Sequence, residues 1–391
     1  MNSLKNKQSL ASQSPGKKVA IVYDRVNKWG GAERVLLSLH QMFPRAPLYT
    51  SVYDPKKASW ASVFPKIYTS FLQKIPFAKS WHEGLGWLMP LAFESFDFNE
   101  FDLVISVTSE AAKGIITGPK TTHVCYMLTP TRYLWSHYDE YFKNKLLRFV
   151  SKPVVNYLKN WDKIAVFRPD HIISISTAVQ KRVKKYYGLD SEIIFPPVHV
   201  SQNKPSGKSY EKDGEYFLCV SRLVPYKKVD LVVDVFNKLN LPLVIVGVGS
   251  QEKSLKRAAN NNIVFKGKIS DEKLKSIYKR AKALIVAQEE DFGIVFVEAQ
   301  ALGVPVIAYG KGGVLDIVVD KQLGVLFNSQ NEQSLIHAIA KFGKIRFNHS
   351  YLKTNAKRFE EAKFERQLQG SLVRAYTGGR GRNSSLAQKQ K

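Results

Sequence analysis

Two glutamates with seven residues between them carry the clearest chemical signal in this sequence. Glu290 lies among three consecutive acids that follow the apolar run 283–286, and Glu298 lies inside the apolar segment 292–302. If that segment is helical from about Gly293, Glu298 stands roughly 7 Å along the axis from the helix N-terminus. Glu290 then lies in the loop just before the same N-terminus.

The helix N-terminus between the two carboxylates is suited to an anion. Its first backbone N–H groups, those of Phe292, Gly293 and Ile294, have no carbonyl partner within the helix and point outward. One short element thus offers a carboxylate, a phosphate-sized set of donors and a second carboxylate. A nucleotide-sugar needs acceptors for its sugar hydroxyls, donors for its diphosphate and an acceptor for its ribose diol.

Structural explanations of the same residues stay open. Acids that precede a helix also stabilise it through its dipole. An ionised Glu298 among apolar neighbours would need a partner, which a structural Arg or Lys could equally supply.

Two further segments offer groups for a diphosphate. Arg222 and Lys227 follow the predicted strand 216–220, where Arg could bind as a fork and Lys as a point charge, unless both are surface cations at a helix start. Gly30 and Gly31 precede a predicted helix over 32–43, and such a glycine pair allows a phosphate to approach the backbone, although it is also common in ordinary turns.

The elements that carry these residues alternate between strand and helix along the chain, which predicts parallel sheets. The segment Gly247-Val248-Gly249 is not a dinucleotide fingerprint, because Glu252 occupies the third glycine position. The length of 391 residues is sufficient for two domains.

Composition limits the class of protein. The net charge of +26 suits nucleic acid, an anionic membrane face or phosphate-bearing substrates, but no nucleic-acid recognition signature is present. Two cysteines without metal-ligand spacing predict a cytoplasmic setting, and the sequence shows neither a secretory signal nor a spanning helix.

The segment 56–81 interleaves lysines with aromatic residues and contains no acid. This pattern suits a peripheral site on an anionic membrane, with lysines at lipid phosphates and rings in the head-group layer. The alternative is a helical pair whose aromatic rings face the core.

The glutamate segment resembles a known family. The run E-D-F-G-I-V-F-V-E, residues 290–298, is similar to the E-x7-E motif of the retaining glycosyltransferases of family 4. The runs A-L-G-V-P-V-I-A (301–308) and K-G-G-V-L-D-I-V (311–318) also resemble that family, although Asp316 stands where Glu is more usual.

Other segments extend the resemblance to about 18–364. G-G-A-E (30–33) is similar to the family's donor-phosphate loop, and R-x4-K (222–227) to its diphosphate clamp, with Lys228 where Gly is usual. T-P-T-R-Y-L-W (129–135) resembles mannosyltransferases that build bacterial surface polysaccharides. Leu128 and Ser136 depart from the usual His and Asp of those enzymes.

The resemblance implies an α/β chain of GT-B architecture, with two doubly wound Rossmann-like domains facing a central cleft. It implies a metal-independent hexosyltransferase without a cofactor, whose substrates are a nucleotide-sugar, GDP-mannose above all, and a saccharide or lipid-linked acceptor. Glu290 would orient the sugar, Glu298 would bind the ribose, and Arg132 would replace the missing His. The donor phosphates would contact Gly30, Gly31, Arg222, Lys227, Phe292, Gly293 and Ile294.

The predicted organisation has a domain on each side of a polar linker. The ranges are 1–17 (disordered), 18–200 (acceptor side), 201–214 (linker), 215–345 (nucleotide-sugar binding), 346–377 (helical, packing back toward the first domain) and 378–391 (disordered basic tail). Two alternatives remain at this stage: a GT-B nucleotide-sugar epimerase, and a basic membrane- or nucleic-acid-binding module without catalysis.

Overall fold

The computed structural model describes residues 17–76, 84–136, 138, 145–199 and 215–378. The chain forms two compact units. The first comprises residues up to Pro197 together with those from Glu361 onward, and the second comprises Val198–Glu360. The predicted disordered ends, the predicted linker 201–214 and three members of the lysine–aromatic segment (Phe77, Lys79, Trp81) lie outside the described residues, apart from positions 17 and 378.

Within the described residues, the first unit contains a seven-stranded sheet in the order β3-β2-β1-β4-β5-β6-β7, with every neighbouring pair parallel. The order reverses between β1 and β4, as in doubly wound folds. The strands are β1 (Val19–Tyr23), β2 (Leu48–Thr50), β3 (Ile67–Thr69), β4 (Leu103–Thr108), β5 (Thr122–Met127), β6 (His171–Ser174) and β7 (Glu192–Ile193).

The central strands of this sheet are buried on both faces, because helices cover them. Strand β4 has no exposed residue over Leu103–Thr108, as expected for a central parallel strand. The apolar face predicted for the first helix is confirmed: Val35, Leu36 and Leu39 are buried. The helices of this unit are α1 (Ala32–Met42), α2 (Met89–Glu94), α3 (Lys145–Ala165), α4 (Thr177–Tyr187) and, at the C-terminus, one described below.

The second unit repeats the plan. Its described residues form a six-stranded parallel sheet in the order β10-β9-β8-β11-β12-β13. The strands are β8 (Tyr216–Val220), β9 (Leu243–Val246), β10 (Ile263–Gly267), β11 (Ala281–Val286), β12 (Val306–Tyr309) and β13 (Gly324–Phe327). The helices are α5 (Val229–Leu239), α6 (Glu252–Ala258), α7 (Asp271–Lys279), α8 (Ile294–Ala301), α9 (Val314–Ile317), α10 (Glu332–Phe342) and α11 (His349–Ala356).

The segment after residue 345 does not behave as one helical unit. Helix α11 packs on α8 of the second unit, where the amide of Asn355 donates to Gln300 Oε1 over 2.7 Å. The next helix, α12 (Glu361–Gly378), belongs to the first unit, and Phe364 meets the Tyr126 ring edge-on at 5.8 Å. The chain enters and leaves the second unit at one place, since the Val198 N–H donates to the Phe359 carbonyl over 2.9 Å.

The helical pair considered for the lysine–aromatic segment does not form over its described residues, 56–76. Strand β3 runs through it between two short 3-10 helices, Ser59–Val63 and Phe71–Lys74. Two of its rings serve packing: Phe64 is buried, and Tyr68 stacks on Tyr49 at 4.6 Å. Phe71, in contrast, is 38% exposed, and the membrane role of the segment stays a prediction.

No helix in the described part of the chain combines the length and apolarity that crossing a bilayer requires. Both cysteines, Cys125 and Cys219, are buried in strands, and burial raises the pKa of each thiol to about 12. Neither thiol is therefore a reactive nucleophile at neutral pH.

Candidate active site

The second unit gathers charged groups at the point where its strand order reverses. Strands β8 and β11 are neighbours there, and the chain leaves their carboxyl ends in opposite directions around the sheet. In open α/β sheets this crevice is where ligands bind. Arg222 and Lys227 follow β8, and Glu290 follows β11, so three of the residues predicted from the sequence meet at this edge.

These three residues line a cavity of about 350 Å³. Its volume is in the range of small-molecule sites. Apart from Arg222, Lys227 and Glu290, the cavity is bounded by the strand ends and by the start of helices α7 and α8. The remaining lining residues are Val220, Ser221, Val246, Gly247, Val248, Gly267, Lys268, Ile269, Leu274 and Val295.

Glu290 is held by two donors. The Lys227 ammonium lies 2.5 Å from Glu290 Oε1, and the amide of the buried Gln288 donates to the same oxygen over 2.7 Å. The side chains of Lys227 and Glu290 are only 13% and 17% exposed, so solvent screens this ion pair weakly. Lys227 carries three N–H donors, which leaves it able to bind a phosphate oxygen while it stays paired with Glu290.

Arg222 is an exposed cation of the site, as is Lys268. Its guanidinium contacts the Tyr226 hydroxyl and lies 5.8 Å from the centre of that ring. Tyr226 therefore restrains the Arg222 side chain without neutralising it. An unneutralised guanidinium at a cavity rim is suited to a diphosphate, which it can bind through two parallel N–H groups.

The glycine-rich turn after β12 fixes the backbone of Glu290. The Gly313 N–H donates to the Glu290 carbonyl over 2.7 Å, and Gly312 pairs with Glu290 as an isolated bridge. Gly312 has φ +83, and a Cβ there would lie 2.2 Å from the Glu290 carbonyl oxygen. Only glycine permits this close approach. The sequence indicated the turn but not that it positions the glutamate.

Helix α8 begins at Ile294, with Gly293 as its N-cap in the left-handed region at φ +92. Phe292 is buried against Phe359, with 5.5 Å between ring centres. The predicted anion site at this helix end stays a prediction. Glu298 is half-buried, whereas its neighbours Val297 and Ala299 are buried. It does not belong to the described lining of the cavity, and its role at the ribose stays a prediction.

The other predicted residues lie in the first unit. Gly31 is the exposed N-cap of α1, and the first turn of that helix buries Glu33, which accepts from the Tyr23 hydroxyl over 3.1 Å. Burial raises the pKa of Glu33, and backbone N–H groups, that of Gly30 among them, oppose the shift. A phosphate at Gly30 and Gly31 would thus lie beside a buried carboxyl group, which the glycine pair did not indicate.

Arg132 lies half-buried in the turn that follows β5, four residues after Leu128. The Leu128 N–H donates to the Thr108 carbonyl over 2.8 Å, which ties this turn to the end of β4. A second arginine reaches the same turn: Arg182 of α4 donates to the Thr129 hydroxyl over 3.3 Å. Sequence reasoning missed Arg182, because 53 residues separate it from Thr129.

Sequence reasoning also missed a network of buried charges in the first unit. The Lys113 ammonium lies 2.5 Å from Asp162 of α3, and both side chains are buried. Asp162 also accepts from the Trp135 indole over 2.7 Å and from the Tyr187 hydroxyl over 2.6 Å. Because a buried charge is tolerated only when it is paired and hydrogen-bonded, this network organises the strand ends.

Comparison with known proteins decides the class. Residues 201–359 match the family described as "Glycosyl transferases group 1". The second unit is a group 1 glycosyl transferase domain.

Relatives and solved structures show further similarities. O-antigen chain mannosyltransferase C of Escherichia coli is 25% identical over 263 residues, which cover 63% of this chain and 69% of that protein. A GDP-mannose-dependent alpha-(1-6)-phosphatidylinositol monomannoside mannosyltransferase of Mycobacterium tuberculosis is 29% identical over 142 residues, 32% of this chain and 37% of that protein. Anabaena HepE, solved in complex with UDP, has a TM-score of 0.67 and 19% identity, covering 91% of this chain and 99% of that one.

These findings confirm the glycosyltransferase class and the GT-B fold. The two Rossmann-like parallel sheets match a two-domain neighbour over nearly the whole chain. The transferase is thus an α/β enzyme whose second unit carries the family match.

Proposed function

We propose that this glycosyltransferase transfers mannose, with retention of configuration, from GDP-mannose to a saccharide or lipid-linked acceptor. The observation that supports it best is the convergence of Arg222, Lys227 and Glu290 on one cavity at the strand switch point. Two cations and a carboxylate suit a diphosphate joined to a sugar. The mannosyltransferase names of the E. coli and M. tuberculosis relatives favour mannose, and the second name favours GDP-mannose.

In this proposal the leaving diphosphate is stabilised by protein cations. Arg222 binds it as a fork from the cavity rim, and Lys227 binds it through the N–H groups that Glu290 leaves available. Glu290 accepts from the hydroxyls of the transferred sugar, held in place by Gln288 and the glycine turn. The acceptor attacks the same face that the diphosphate leaves, which gives retention.

Three further roles complete the proposal. Glu298 binds the ribose diol, and the N–H groups at the start of α8 contribute to phosphate binding. Arg132, beside Leu128, supplies a positive charge in the turn where the similar mannosyltransferases carry His. The enzyme works at the cytoplasmic face of a membrane if its acceptor is lipid-linked.

The decisive experiment measures nucleotide release from a panel of GDP- and UDP-sugars, with and without saccharide or polyprenyl-linked acceptors. Acceptor-dependent release of GDP from GDP-mannose, with an α-linked product by NMR, is expected. Release from UDP-sugars alone would reject GDP-mannose, a β-linked product would reject retention, and acceptor-independent isomerisation would favour an epimerase. No turnover with any pair would favour an enzyme inactivated by the Leu128 substitution.

Two variants separate the glutamates. Glu290→Gln should bind GDP with normal affinity but transfer sugar slowly, because its contact matters at the reacting ring. Glu298→Gln should mainly weaken GDP binding, because an amide is a poorer acceptor for two hydroxyls. Calorimetry with GDP distinguishes the two, and an equal loss of affinity in both variants would contradict the assignment.

A further inference from the structure

Helix α3 exposes a row of large apolar side chains. Phe149, Val150, Tyr157 and Ile164 are 77%, 65%, 51% and 66% exposed. At 3.6 residues per turn these four positions fall within an arc of about 100° on the helix. The helix packs inward through another side, where Val155, Leu158 and Ala165 are buried. This exposed row is called the apolar stripe below.

A row of cations runs beside the apolar stripe. Lys152, Lys159 and Lys163 fall at neighbouring angles on the same helix, because their spacings are seven and four residues. The sole acid in the sequence of α3 is Asp162, which is buried and paired with Lys113. The outer surface of α3 therefore combines apolar and positively charged groups.

Two stacked rings extend the cationic side. Trp135 and Tyr186 lie 5.2 Å apart with nearly parallel planes. The ammonium groups of Lys159 and Lys163 each lie 5.8 Å from the Trp135 ring, and that of Lys185 lies 5.5 Å from the Tyr186 ring. The cations of α3 and α4 thus form one positively charged margin around an aromatic pair.

We propose that α3 is the surface by which this enzyme binds an anionic bilayer. The apolar stripe enters the boundary between head groups and acyl chains, and Lys152, Lys159 and Lys163 meet lipid phosphates. A helix with one apolar side and a lysine-rich margin is the form that interfacial helices take. Each basic residue near an anionic leaflet adds to the attraction, and the margin contains no exposed carboxylate of α3 to oppose it.

Charge favours a membrane over other occupants of this surface. A two-fold contact with a second copy would place the same lysine row of each chain near that of its partner, where like charges repel. Nucleic acid would use the lysines but would leave Phe149, Val150 and Ile164 in water. Anionic lipid satisfies both the apolar stripe and the cations.

The membrane-binding surface goes beyond the proposed function. It rests on that function only in one respect, namely that a lipid-linked acceptor would be found at the membrane. Binding to vesicles requires neither donor nor acceptor, so failure of the inference and failure of the proposed reaction are separate outcomes. The surface also differs from the lysine–aromatic segment, where Phe64 and Tyr68 are occupied in packing.

The test is co-sedimentation of the full chain with vesicles of phosphatidylglycerol and phosphatidylcholine, compared with phosphatidylcholine alone. Wild type should bind the anionic vesicles in preference. Phe149→Ser/Ile164→Ser and Lys152→Gln/Lys163→Gln should each weaken binding at least about tenfold. Matched controls elsewhere, Val264→Ser/Val373→Ser and Lys253→Gln/Lys275→Gln, alter exposed residues of the same types and should bind like wild type.

Several outcomes would overturn the inference. Wild type could bind neither vesicle, or the α3 variants could bind as tightly as the controls. Concentration-dependent dimerisation that Phe149→Ser/Ile164→Ser abolishes, without vesicle binding, would assign the surface to a second copy. Because all substituted side chains are exposed, the variants should unfold at the wild-type temperature, and this check separates lost binding from misfolding. At roughly molar salt, screening should remove the difference between the lysine variant and wild type.

Discussion

The ammonium of Lys227 and the carboxylate of Glu290 lie 2.5 Å apart although 63 residues separate them in the chain. The pair joins the cation that follows β8 to the glutamate that follows β11. Substituting Lys227 therefore acts on both contacts, because it removes a cation for the diphosphate and a donor that holds Glu290. This coupling makes single substitutions at the site hard to interpret, and a double-mutant cycle is the suitable design.

Lys227→Met should lower the free energy of unfolding by about 1–3 kcal/mol, because it leaves a poorly solvated Glu290 without its cation. Adding Glu290→Gln should recover part of that loss. Urea unfolding of the four proteins of the cycle measures both effects. Lys238→Met is the matched control, because its ion pair with Glu332 is exposed and should contribute less than about 1 kcal/mol. Additive effects of the two substitutions would show that the pair does not couple.

The same cycle should be followed by calorimetry with GDP, with Arg222→Ala included. Arg222 is exposed and does not pair with Glu290, so its loss should weaken nucleotide binding about tenfold while stability changes by less than about 0.5 kcal/mol. Lys227→Met should lower both the affinity for the nucleotide and the stability of the protein. If both variants turn over the donor normally, Arg222 and Lys227 do not belong to the donor site.

Gly312→Ala should displace the Glu290 loop. The added methyl would lie 2.2 Å from the Glu290 carbonyl oxygen, and the backbone at φ +83 disfavours a side chain. We expect a loss of at least about 2 kcal/mol of stability and a fall in kcat measured at saturating donor. Gly343→Ala is the control, since that residue has φ −61 and a methyl there meets nothing closer than 3.6 Å. Similar thermal shifts for the two variants would argue against a tight contact at Gly312.

Lys228→Gly should stabilise the protein. Lys228 has φ 53 and ψ 34, a left-handed conformation that a residue with a side chain adopts at a cost of about 1–2 kcal/mol. Glycine removes that strain but adds freedom to the unfolded chain, so a net gain of about 0.5–1 kcal/mol is expected. Lys228→Ala loses the same charge without relieving the strain, and thermal unfolding of the pair isolates the backbone effect. Equal stability of the two variants would refute the strain at this position.

His123 should make stability fall in mild acid. Burial, with a smaller contribution from Arg168, lowers the pKa of the imidazole to about 3 from its ordinary 6.5. Between these values the unfolded chain binds a proton that the folded chain does not, so the free energy of unfolding decreases as pH falls below 6.5. The effect of His123 on the free energy of unfolding approaches about 1.4 kcal/mol per pH unit in this range.

His123→Gln removes this proton uptake. Urea unfolding from pH 7.5 to pH 4.5 should give a shallower pH dependence for the variant, with parallel curves above pH 7. Identical slopes throughout would mean that the folded protein accommodates a charged imidazole. The Nε2 atom lies 2.8 Å from the Ser106 hydroxyl, a bond that glutamine can retain.

Arg132→Ala should reduce kcat/KM for sugar transfer by at least about tenfold, the effect of one lost charged hydrogen bond. Adding Leu128→His should restore part of the rate, because imidazole returns a donor to the turn. Arg182→Ala is the informative comparison, since Arg182 reaches Thr129 in the same turn. If Arg182→Ala impairs transfer and Arg132→Ala does not, the compensating cation is Arg182.

Much of the alternation of strands and helices follows from the sequence, but strands β2 and β3 were not predicted, because each is only three residues long. Runs such as 216–220 and 177–187 match β8 and α4 at both ends, because buried parallel strands and one-sided helices leave local apolar patterns. The motif at 290–298 likewise identified the transferase class, since its residues are close in sequence. Helix α3 was not predicted: Pro153 lies inside it, and proline ordinarily interrupts a helical pattern.

Which groups meet depends on the tertiary structure. The ammonium of Lys227 pairs with Glu290, and that of Lys113 pairs with Asp162. Gly312 holds the Glu290 backbone, and the Tyr23 hydroxyl donates to Glu33 at the start of α1. Three of these pairs connect segments far apart in the chain, so no local pattern records them. Local sequence patterns determine the helices and strands, and the packing of the strand ends brings their charged residues together.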